Sequence, residues 1–317
     1  MVKPNDFKVS VIMPVYNAAA YIERAAESVV HLENTGELLM IDDGSTDDSL
    51  AVCKRLEKKY DIIRVLEHRD KKNHGASAAR NVGIRNAKYN VISFLDADDY
   101  YLPNRFDAEK NIFLSDENID GVYGCTLAKF ESAEAREKFL KGDIAERTTL
   151  SQRIPPEKLF HALIRGGYGC FHTSAVTLKK KIFAQSGMFN EKIRYGEDTE
   201  LWYKMSLVGT LVAGSIEEPV AIRWVHGSNS IHQFEKMEWY RKLMHREVFK
   251  WAVTKPFSFE VKNAFFNAIE QTQKKSSLKI LLSEVARKPF LLFTSFFYKK
   301  LHLLSLQLLK VKDEQHR

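Results

Sequence analysis

Cysteine is scarce in this sequence, and the few cysteines lie far apart. The 317 residues contain Cys53, Cys125 and Cys170, and no Cys-x-x-Cys pair occurs. An odd number of widely spaced cysteines argues against both a disulfide framework and a zinc knuckle. A reducing compartment is the simpler expectation.

Long apolar runs are also missing. No stretch of about 18 or more uncharged apolar residues occurs, so no membrane-spanning helix is predicted. Residues 1–8 are polar and lead straight into a strand pattern, without an apolar segment of the signal-peptide type. Hydrophobic residues make up 44% and charged residues 28% of the chain, which is typical of globular proteins. We therefore expect a cytoplasmic protein whose only membrane contact would be peripheral, on the inner face.

The charge balance is positive, with a net charge of +7. This excess suits an anionic partner such as a nucleotide diphosphate, a lipid phosphate or an anionic membrane face. The sequence carries no nucleic-acid motif and no face on which basic and aromatic residues alternate. We therefore expect no nucleic-acid partner.

Strand-like and helix-like segments alternate through the first part of the chain. The strand segments are apolar at nearly every position, as expected for strands buried on both faces of a parallel sheet. This alternation predicts an α/β fold with a mostly parallel sheet flanked by helices. The strand segments are 8–15, 36–41, 62–66 and 91–95, and the clearest helical segments between them are 18–32 and 75–87.

The remainder of the chain is less regular. Residues 121–130 and 211–225 each read as strand, whereas 131–153 is charged without a clear period and predicts an exposed insertion or mobile loop. The composition shifts after Ile231 toward helical patterns. We therefore expect a main domain over residues 1–230 and a helical C-terminal extension over 231–317.

Acidic residues follow two of the predicted parallel strands. Asp42 and Asp43 end the second strand, and Asp96, Asp98 and Asp99 follow the fourth. Ligands of open parallel sheets bind beyond the carboxyl ends of the strands. Carboxylates at such an edge suit Mg²⁺ or Mn²⁺, which in turn binds phosphate oxygens. The alternative is a solvated acidic turn, but the second acidic cluster favours the metal site.

Six motifs occur in this order along the chain: VSVIMPVYN at 9–17, MIDDGSTD at 40–47, GASAARNVG at 75–83, FLDADD at 94–99, GMFNE at 187–191 and GEDTELW at 196–202. Together they resemble a family 2 glycosyltransferase of the GT-A fold, over about residues 8–230. The resemblance implies an inverting hexosyltransferase-type enzyme that takes a nucleotide-diphosphate sugar, with UDP-sugar expected, and Mn²⁺ or Mg²⁺. The expected acceptor is a hydroxyl of a glycan or lipid-linked glycan in polysaccharide or glycolipid synthesis.

The resemblance also assigns a nucleotide pocket. Pro14, Val15 and Tyr16 are expected to line the base, with a core tyrosine as the alternative for Tyr16. Asp43 is expected to accept a hydrogen bond from the base imide. Arg80 is expected to contact the base or the diphosphate; the alternative is a salt bridge from Arg80 to Asp43 or Asp96. Asp96 itself is expected to contact the ribose or the metal.

The same resemblance supplies metal ligands and a general base. Asp98 and Asp96 match the DxD motif, and His226 is expected at the metal, with a purely structural histidine as the alternative. Asp198 is the expected base that takes the proton of the acceptor hydroxyl, and Glu197 is the alternative. Both also lie where carboxylates stabilise a helix N-terminus.

The C-terminal residues 288–310 carry phenylalanines and leucines at helical spacing, flanked by lysines. Two interpretations stay open: this stripe packs on the protein or on a second subunit of a homo-oligomer, or it lies in a membrane interface. Two competing functions also stay open, a non-catalytic GT-A scaffold and a sugar nucleotidyltransferase. The second of these would carry a glycine-rich loop after the first strand, and Pro14–Ala20 contains no glycine.

Overall fold

The computed structural model describes residues 7–141, 145–227, 229, 234–273, 296, 299 and 300. The chain divides into two compact units, Met1–Phe234 and Glu235–Arg317. The strands of the described residues are β1 (Val9–Val15), β2 (Thr35–Asp42), β3 (Ile63–Glu67), β4 (Val91–Phe94), β5 (Tyr100–Tyr101), β6 (Gly121–Tyr123), β7 (Cys125–Phe130), β8 (Arg147–Thr148), β9 (Val176–Lys179), β10 (Leu211–Ala213) and β11 (Pro219–Val225).

The α-helices of the first unit flank these strands, and two short 3₁₀ turns, Thr173–Ala175 and Lys180–Ile182, adjoin β9. Helices in the first unit are α1 (Ile22–Val30), α2 (Ser49–Lys59), α3 (Ala76–Asn86), α4 (Asp107–Ser115), α5 (Ala133–Lys141), α6 (Pro156–Arg165), α7 (Phe183–Ser186) and α8 (Glu197–Val208).

A seven-stranded sheet in the order β10-β6-β9-β4-β1-β2-β3 forms the centre of the first unit. Strands β3, β2, β1 and β4 pair parallel with one another, whereas β9 runs antiparallel between β4 and β6. The mostly parallel α/β sheet that the sequence predicted is therefore confirmed. Because β1, β2 and β4 run in one direction, the acidic residues that follow them lie at one edge of the sheet.

A second sheet has the order β5-β11-β7-β8. The predicted strand over 121–130 is wrong as a single element, because the chain leaves the large sheet after β6 and enters the small sheet as β7. The predicted strand over 211–225 divides in the same way into β10 and β11. Each of these two segments thus supplies one strand to the large sheet and one strand to the small sheet.

Residues 131–153 are not a featureless loop. The segment contains α5 and β8, and β8 pairs with β7. Phe139 on α5 is only 1% exposed and packs edge to face on Phe130, with ring centroids 5.4 Å apart. Helix α5 is short and buries only Ala135 and Phe139, so its sequence shows no clear helical period.

Helix α3 packs unusually close to the sheet. A Cβ atom at Gly83 would lie 2.4 Å from Ile12 Cγ2 on β1, which only glycine avoids. This close approach holds Arg80, three residues earlier on α3, against the edge of the sheet where the acidic residues lie.

In the second unit, the described helices are α9 (Phe234–Val253) and α10 (Phe259–Gln273). Its core is aromatic: Phe249 and Phe296 are buried, with ring centroids 5.4 Å apart, and Phe266 packs on both. The predicted stripe at 288–310 lies outside the described residues except for positions 296, 299 and 300. No helix within the described ranges is long and apolar enough to cross a membrane.

Candidate active site

Three carboxylates crowd the loop after β4. Asp99 is 3% exposed, and its two oxygens accept hydrogen bonds from the Ser174 hydroxyl (2.9 Å) and the Trp224 backbone N–H (3.0 Å). Burial, followed by the charges of Asp98 and Asp96, raises the pKa of Asp99 well above its usual value. Like charges held this close are the arrangement that a bound cation would relieve.

Asp98 meets the end of the small sheet. Its Oδ2 atom lies 3.1 Å from His226 Nε2 and accepts a hydrogen bond from Asn229 Nδ2 at 2.9 Å. His226, directly after β11, is 5% exposed. The structure thus brings together two residues, 128 positions apart, that the resemblance assigned to one metal site.

Arg80 joins the β4 loop to helix α8. It is 4% exposed and donates to Asp96 Oδ1 at 2.7 Å and to Glu197 Oε1 at 2.8 Å. Of the two salt bridges considered from the sequence, the one to Asp96 is present, whereas Asp43 bonds elsewhere. Glu197 was not foreseen as a partner of Arg80.

These contacts set the ionisation of both carboxylates. Burial opposes ionisation of Asp96, but the charge and hydrogen bond of Arg80, with a contribution from His172, lower the pKa of Asp96 below its usual value. At Glu197 burial prevails over the attraction of Arg80, and the nearby charge of Asp198 adds to it, so the pKa of Glu197 is raised to about 7.

Asp198 lies in the first turn of α8. Gly196 adopts φ +78° just before the helix, a conformation that L side chains rarely adopt. Asp198 Oδ1 accepts from the Thr199 backbone N–H at 2.6 Å, and Oδ2 lies 3.4 Å from the Thr173 hydroxyl. Asp198 forms no ion pair with any described residue, whereas Glu197 is paired with Arg80. The nearby Trp202 is fully buried and belongs to the core.

His172 is a site residue that the sequence did not reveal. One ligand atom each of Asp96, Asp99 and His172 lie within 4.8 Å of one another. Burial first, then the charge of Arg223, lowers the pKa of His172 to about 4, although Asp96 and Asp198 oppose this. His172 is therefore a neutral imidazole at pH 7, with Nδ1 3.9 Å from Asp99 Oδ2.

The backbone after His172 is held in place by hydrogen bonds from the buried Arg105. Arg105 donates to the carbonyl oxygens of Ser174 (3.1 Å) and Val176 (3.0 Å), and it pairs with Glu109 at 2.6 Å. Both charged side chains of this pair are 0% exposed. Arg105 also donates to the Ser93 hydroxyl on β4 at 2.7 Å, so the segment that contacts Asp99 and Asp198 is tied to β4 and α4.

Arg223 on β11 is the second residue that the sequence did not assign. Its charge acts on Asp96, Asp99 and His172. Among the residues that the structure describes, Arg223 forms no ion pair, and its guanidinium lies 5.5 Å from the centroid of the Phe139 ring. A partly buried guanidinium without a carboxylate partner, beside a carboxylate cluster, is suited to bind an anion.

The predicted base pocket is only partly open to a ligand. Tyr16 is 49% exposed and Pro14 is partly exposed, whereas Val15 is 0% exposed and belongs to the hydrophobic core. The Val15 side chain lies in the core beneath β1, and the base pocket expected at Pro14, Val15 and Tyr16 stays a prediction.

Asp43 is held by protein donors on both oxygens. It is 2% exposed and accepts from Asn73 Nδ2 and from the backbone N–H groups of His74 and Gly75, each at 2.8 Å. His68 Nε2 also lies 2.9 Å from Oδ1. In this arrangement Asp43 anchors the loop before α3, and a base imide would have to displace one of these four groups.

The model of the family described as "Glycosyl transferase family 2" matches residues 10–184. The chain belongs to this family. An uncharacterized glycosyltransferase of Rickettsia typhi is 28% identical over 204 residues, which cover 64% of this chain and 60% of the relative. The minor teichoic acid biosynthesis protein GgaA of Bacillus subtilis is 29% identical over 209 residues, covering 62% of this chain and 43% of GgaA. The chain thus matches about three fifths or less of the length of these curated relatives.

Solved glycosyltransferase structures share the fold of this family 2 chain. S. aureus TarS 1-349 aligns with a TM-score of 0.60 at 17% identity, over 83% of this chain and 72% of that chain. The mannosyltransferase PcManGT of Pyrobaculum calidifontis, solved with GDP-Man and Mn²⁺, aligns with a TM-score of 0.56 at 18% identity, over 92% and 84% of the two chains. These likenesses confirm the GT-A fold.

Proposed function

We propose that this protein is an inverting glycosyltransferase that moves a sugar from a nucleotide-diphosphate donor to a hydroxyl of a glycan or lipid-linked acceptor. One observation carries the proposal: the β4 acids, His172 and the α8 acids converge on one edge of the sheet. Thr173 lies 3.4 Å from Asp198 while the adjoining Ser174 lies 2.9 Å from Asp99, so one short segment contacts both halves.

The residues present fit a divalent cation. Asp98 Oδ2 and His226 Nε2 lie 3.1 Å apart, and Asp96 belongs to a cluster with Asp99 and His172 whose ligand atoms lie within 4.8 Å of one another. Oxygen with imidazole donors suits Mn²⁺ or Mg²⁺. We assign Asp98, Asp96 and His226 as the ligands. Asp99 is a supporting residue, because both its oxygens already accept hydrogen bonds from the protein. When bound, the cation would neutralise charge on the departing nucleotide diphosphate.

Arg223 is the protein's own cation for that diphosphate. Its guanidinium is planar and can bond two phosphate oxygens at once, which a lysine cannot. Arg80 does not have this freedom, because Asp96 and Glu197 hold it at 2.7 and 2.8 Å. We therefore place Arg223 at the diphosphate and give Arg80 the task of holding the two acids in register.

The donor we favour is a UDP-sugar. Support comes from S. aureus TarS, which has been solved in complex with UDP and with UDP-GlcNAc. PcManGT, solved with GDP-Man, makes another nucleotide the alternative. Tyr16, half exposed at the end of β1, offers an aromatic face on which a base can stack.

Asp198 is the general base of the proposal. Among the described residues, its carboxylate accepts hydrogen bonds from uncharged threonines and forms no ion pair, so it is free to take the proton of the acceptor hydroxyl as that oxygen attacks the anomeric carbon. Glu197 is the alternative base because its pKa is raised to about 7, but Arg80 occupies one of its oxygens. Attack from the face opposite the leaving group inverts the anomeric configuration.

The acceptor is proposed from the relatives. GgaA is named for teichoic acid biosynthesis, which supports a cell-surface polysaccharide as the product class. The cytoplasmic location, the peripheral membrane contact and the self-association expected from the sequence stay predictions, as does a catalytic role for residues 1–230.

A donor screen tests the proposal. The protein is incubated with Mn²⁺ and a panel of nucleotide sugars without acceptor, so that water takes the sugar, and the released nucleoside diphosphate is measured. We expect release from at least one donor. Asp198→Asn should remove transfer while donor binding stays near wild type, and Glu197→Gln should weaken donor binding through Arg80. The exposed Asp107→Asn is the matched control and should behave as wild type.

The outcomes separate the competing functions. Absence of release with every donor would favour the non-catalytic scaffold, and formation of a sugar nucleotide from sugar phosphate and NTP would favour the nucleotidyltransferase. Loss of donor binding in Asp198→Asn would contradict the assigned base.

A further inference from the structure

One face of α1 carries side chains that the proposed reaction does not use. Tyr21 lies directly before the helix, and Arg24 and Ser28 follow it by three and seven positions, which places all three on one side. Elsewhere around the helix, Ile22 and Ala25 are 0% exposed in the core. The polar face meets the β4 loop and the end of β11.

Tyr21 contacts the imidazole of His226. The two rings are stacked, with centroids 4.5 Å apart and planes 29° apart. The Tyr21 hydroxyl also lies 3.4 Å from Glu131 Oε1, at the end of β7. The phenol ring therefore covers one face of the imidazole, whose Nε2 points at Asp98.

Arg24 contacts the backbone of Asp98. Its Nη2 atom donates to the Asp98 carbonyl oxygen at 3.0 Å. The guanidinium lies 4.3 Å from the ring of Trp224 and 4.8 Å from the ring of Tyr100. Its Nε atom is buried and has no hydrogen-bond partner among the described residues, so the stacked rings fix the plane of the group.

Ser28 completes the contact with the same loop. Its hydroxyl oxygen accepts from the Tyr101 backbone N–H at 3.0 Å. The three side chains thus contact His226 after β11, Asp98 in the loop after β4 and Tyr101 on β5. A helix is a rigid support for such contacts.

We propose that this face of α1, made of Tyr21, Arg24 and Ser28, is a clamp that orients the metal ligands Asp98 and His226. The three are positioning residues, since none offers a ligand atom itself. Partners behind the ligands fix ring and carboxylate orientation, and their loss typically costs about 10- to 100-fold in metal affinity. The inference rests on the proposed function through the metal site alone.

Direct Mn²⁺ binding tests the clamp without relying on activity. Free Mn²⁺ is measured by electron paramagnetic resonance as metal is titrated into the full chain. Arg24→Met and Tyr21→Leu should each raise the Kd for Mn²⁺ by about tenfold or more. Tyr21→Phe keeps the ring and should stay within about twofold of wild type.

The matched control is Arg55→Met. Arg55 is an exposed arginine that pairs with Glu23 on the other side of α1, and its loss should leave Mn²⁺ binding unchanged. Thermal melts identify variants that fail to fold. If Arg24→Met fails to fold, Arg24→Lys decides, because lysine keeps the donor but not the planar stack and should still bind Mn²⁺ more weakly.

Unchanged Mn²⁺ affinity in both Arg24→Met and Tyr21→Leu, or in Arg24→Lys where it replaces the former, would overturn the clamp. If wild type releases nucleotide from a donor while these variants bind Mn²⁺ normally, the clamp fails and the proposed function stands. If wild type binds no Mn²⁺, the clamp and the metal assignment both fail, while the donor screen still judges the transferase.

Discussion

Replacement of Arg80 by methionine should destabilise the first unit strongly. Arg80 is 4% exposed and bridges Asp96 to Glu197, whose side chains are only 28% and 14% exposed. Methionine has a similar length and no charge, so it fills most of the space. The variant would leave two neighbouring carboxylates partly buried without their cation.

The size of the effect follows from that geometry. Removing one partner of a buried ion pair costs about 3–5 kcal/mol, because the remaining charge stays desolvated. Two carboxylates lose the same partner here, which favours the upper half of the range. The partial exposure of Asp96 acts the other way, so we expect a loss of about 4 kcal/mol at pH 8.

The loss should shrink as the pH falls. The pKa of Glu197 is already raised to about 7, and it rises further without Arg80. When the pKa of a carboxyl is higher in the folded than in the unfolded protein, its ionisation destabilises the fold. This cost is absent at a pH below the unfolded pKa and is greatest at a pH above the folded pKa. The lowered pKa of Asp96 also returns upward without Arg80, which makes protonation easier. The variant should therefore lose less stability at pH 5 than at pH 8.

Urea unfolding of wild type and variant at both pH values measures this, with tryptophan fluorescence as the signal. Arg85→Met on the exposed side of the same helix is the control, and should change the free energy of unfolding by less than about 0.5 kcal/mol. A loss for Arg80→Met below about 1 kcal/mol, or an equal loss at pH 5 and pH 8, would refute the reasoning.

Three further predictions concern the surrounding structure. Arg105→Met should cost about 3–5 kcal/mol, and adding Glu109→Met should restore part of it in thermal melts; a double variant less stable than the single would contradict this. Phe139→Ala should lower the free energy of unfolding by about 3 kcal/mol, and Leu140→Ala, at a half-exposed position, should lower it by less than about 0.5 kcal/mol. Limited proteolysis should therefore cleave residues 131–148 faster in Phe139→Ala than in Leu140→Ala. Burial, followed by the charge of Asp42, raises the pKa of the Cys53 thiol to about 12, so iodoacetamide at pH 8 should leave Cys53 unmodified until urea is added.

The sequence predicted the parts of the fold that depend on local pattern. The buried strands β1, β2 and β4 show as continuous apolar runs, and the acids that follow them show as clusters. Parallel pairing then brings these clusters to one edge without further information. Because Arg80 was expected near that edge, its salt bridge to Asp96 could be considered as one alternative from the sequence.

His172 could not be predicted in this way. It lies in GYGCFHTS, which has no periodicity, and it reaches the acids only because β9 inserts antiparallel between β4 and β6. That pairing joins Val91 to Lys179, and no local signal indicates it. Arg223 was missed for a similar reason, since its strand enters the small sheet rather than extending β10.

Val15 and Asp43 show what a motif match leaves open. Both match motif positions, so both were expected to contact the base. The alternation of side chains along β1 instead turns Val15 into the core. The loop at 73–75 folds back onto Asp43 and takes up its oxygens, which depends on a turn that the motif does not specify.

The two-sheet construction separates what can vary from what cannot. Helix α5 and β8 attach to β7 and β11 and form no backbone pairing with β1 to β4 in the described chain. An insertion or deletion between positions 131 and 148 would leave the backbone pairing of the large sheet unchanged. Such a chain can remodel the rim on the small-sheet side over evolutionary time, while the edge that carries the acids keeps its register.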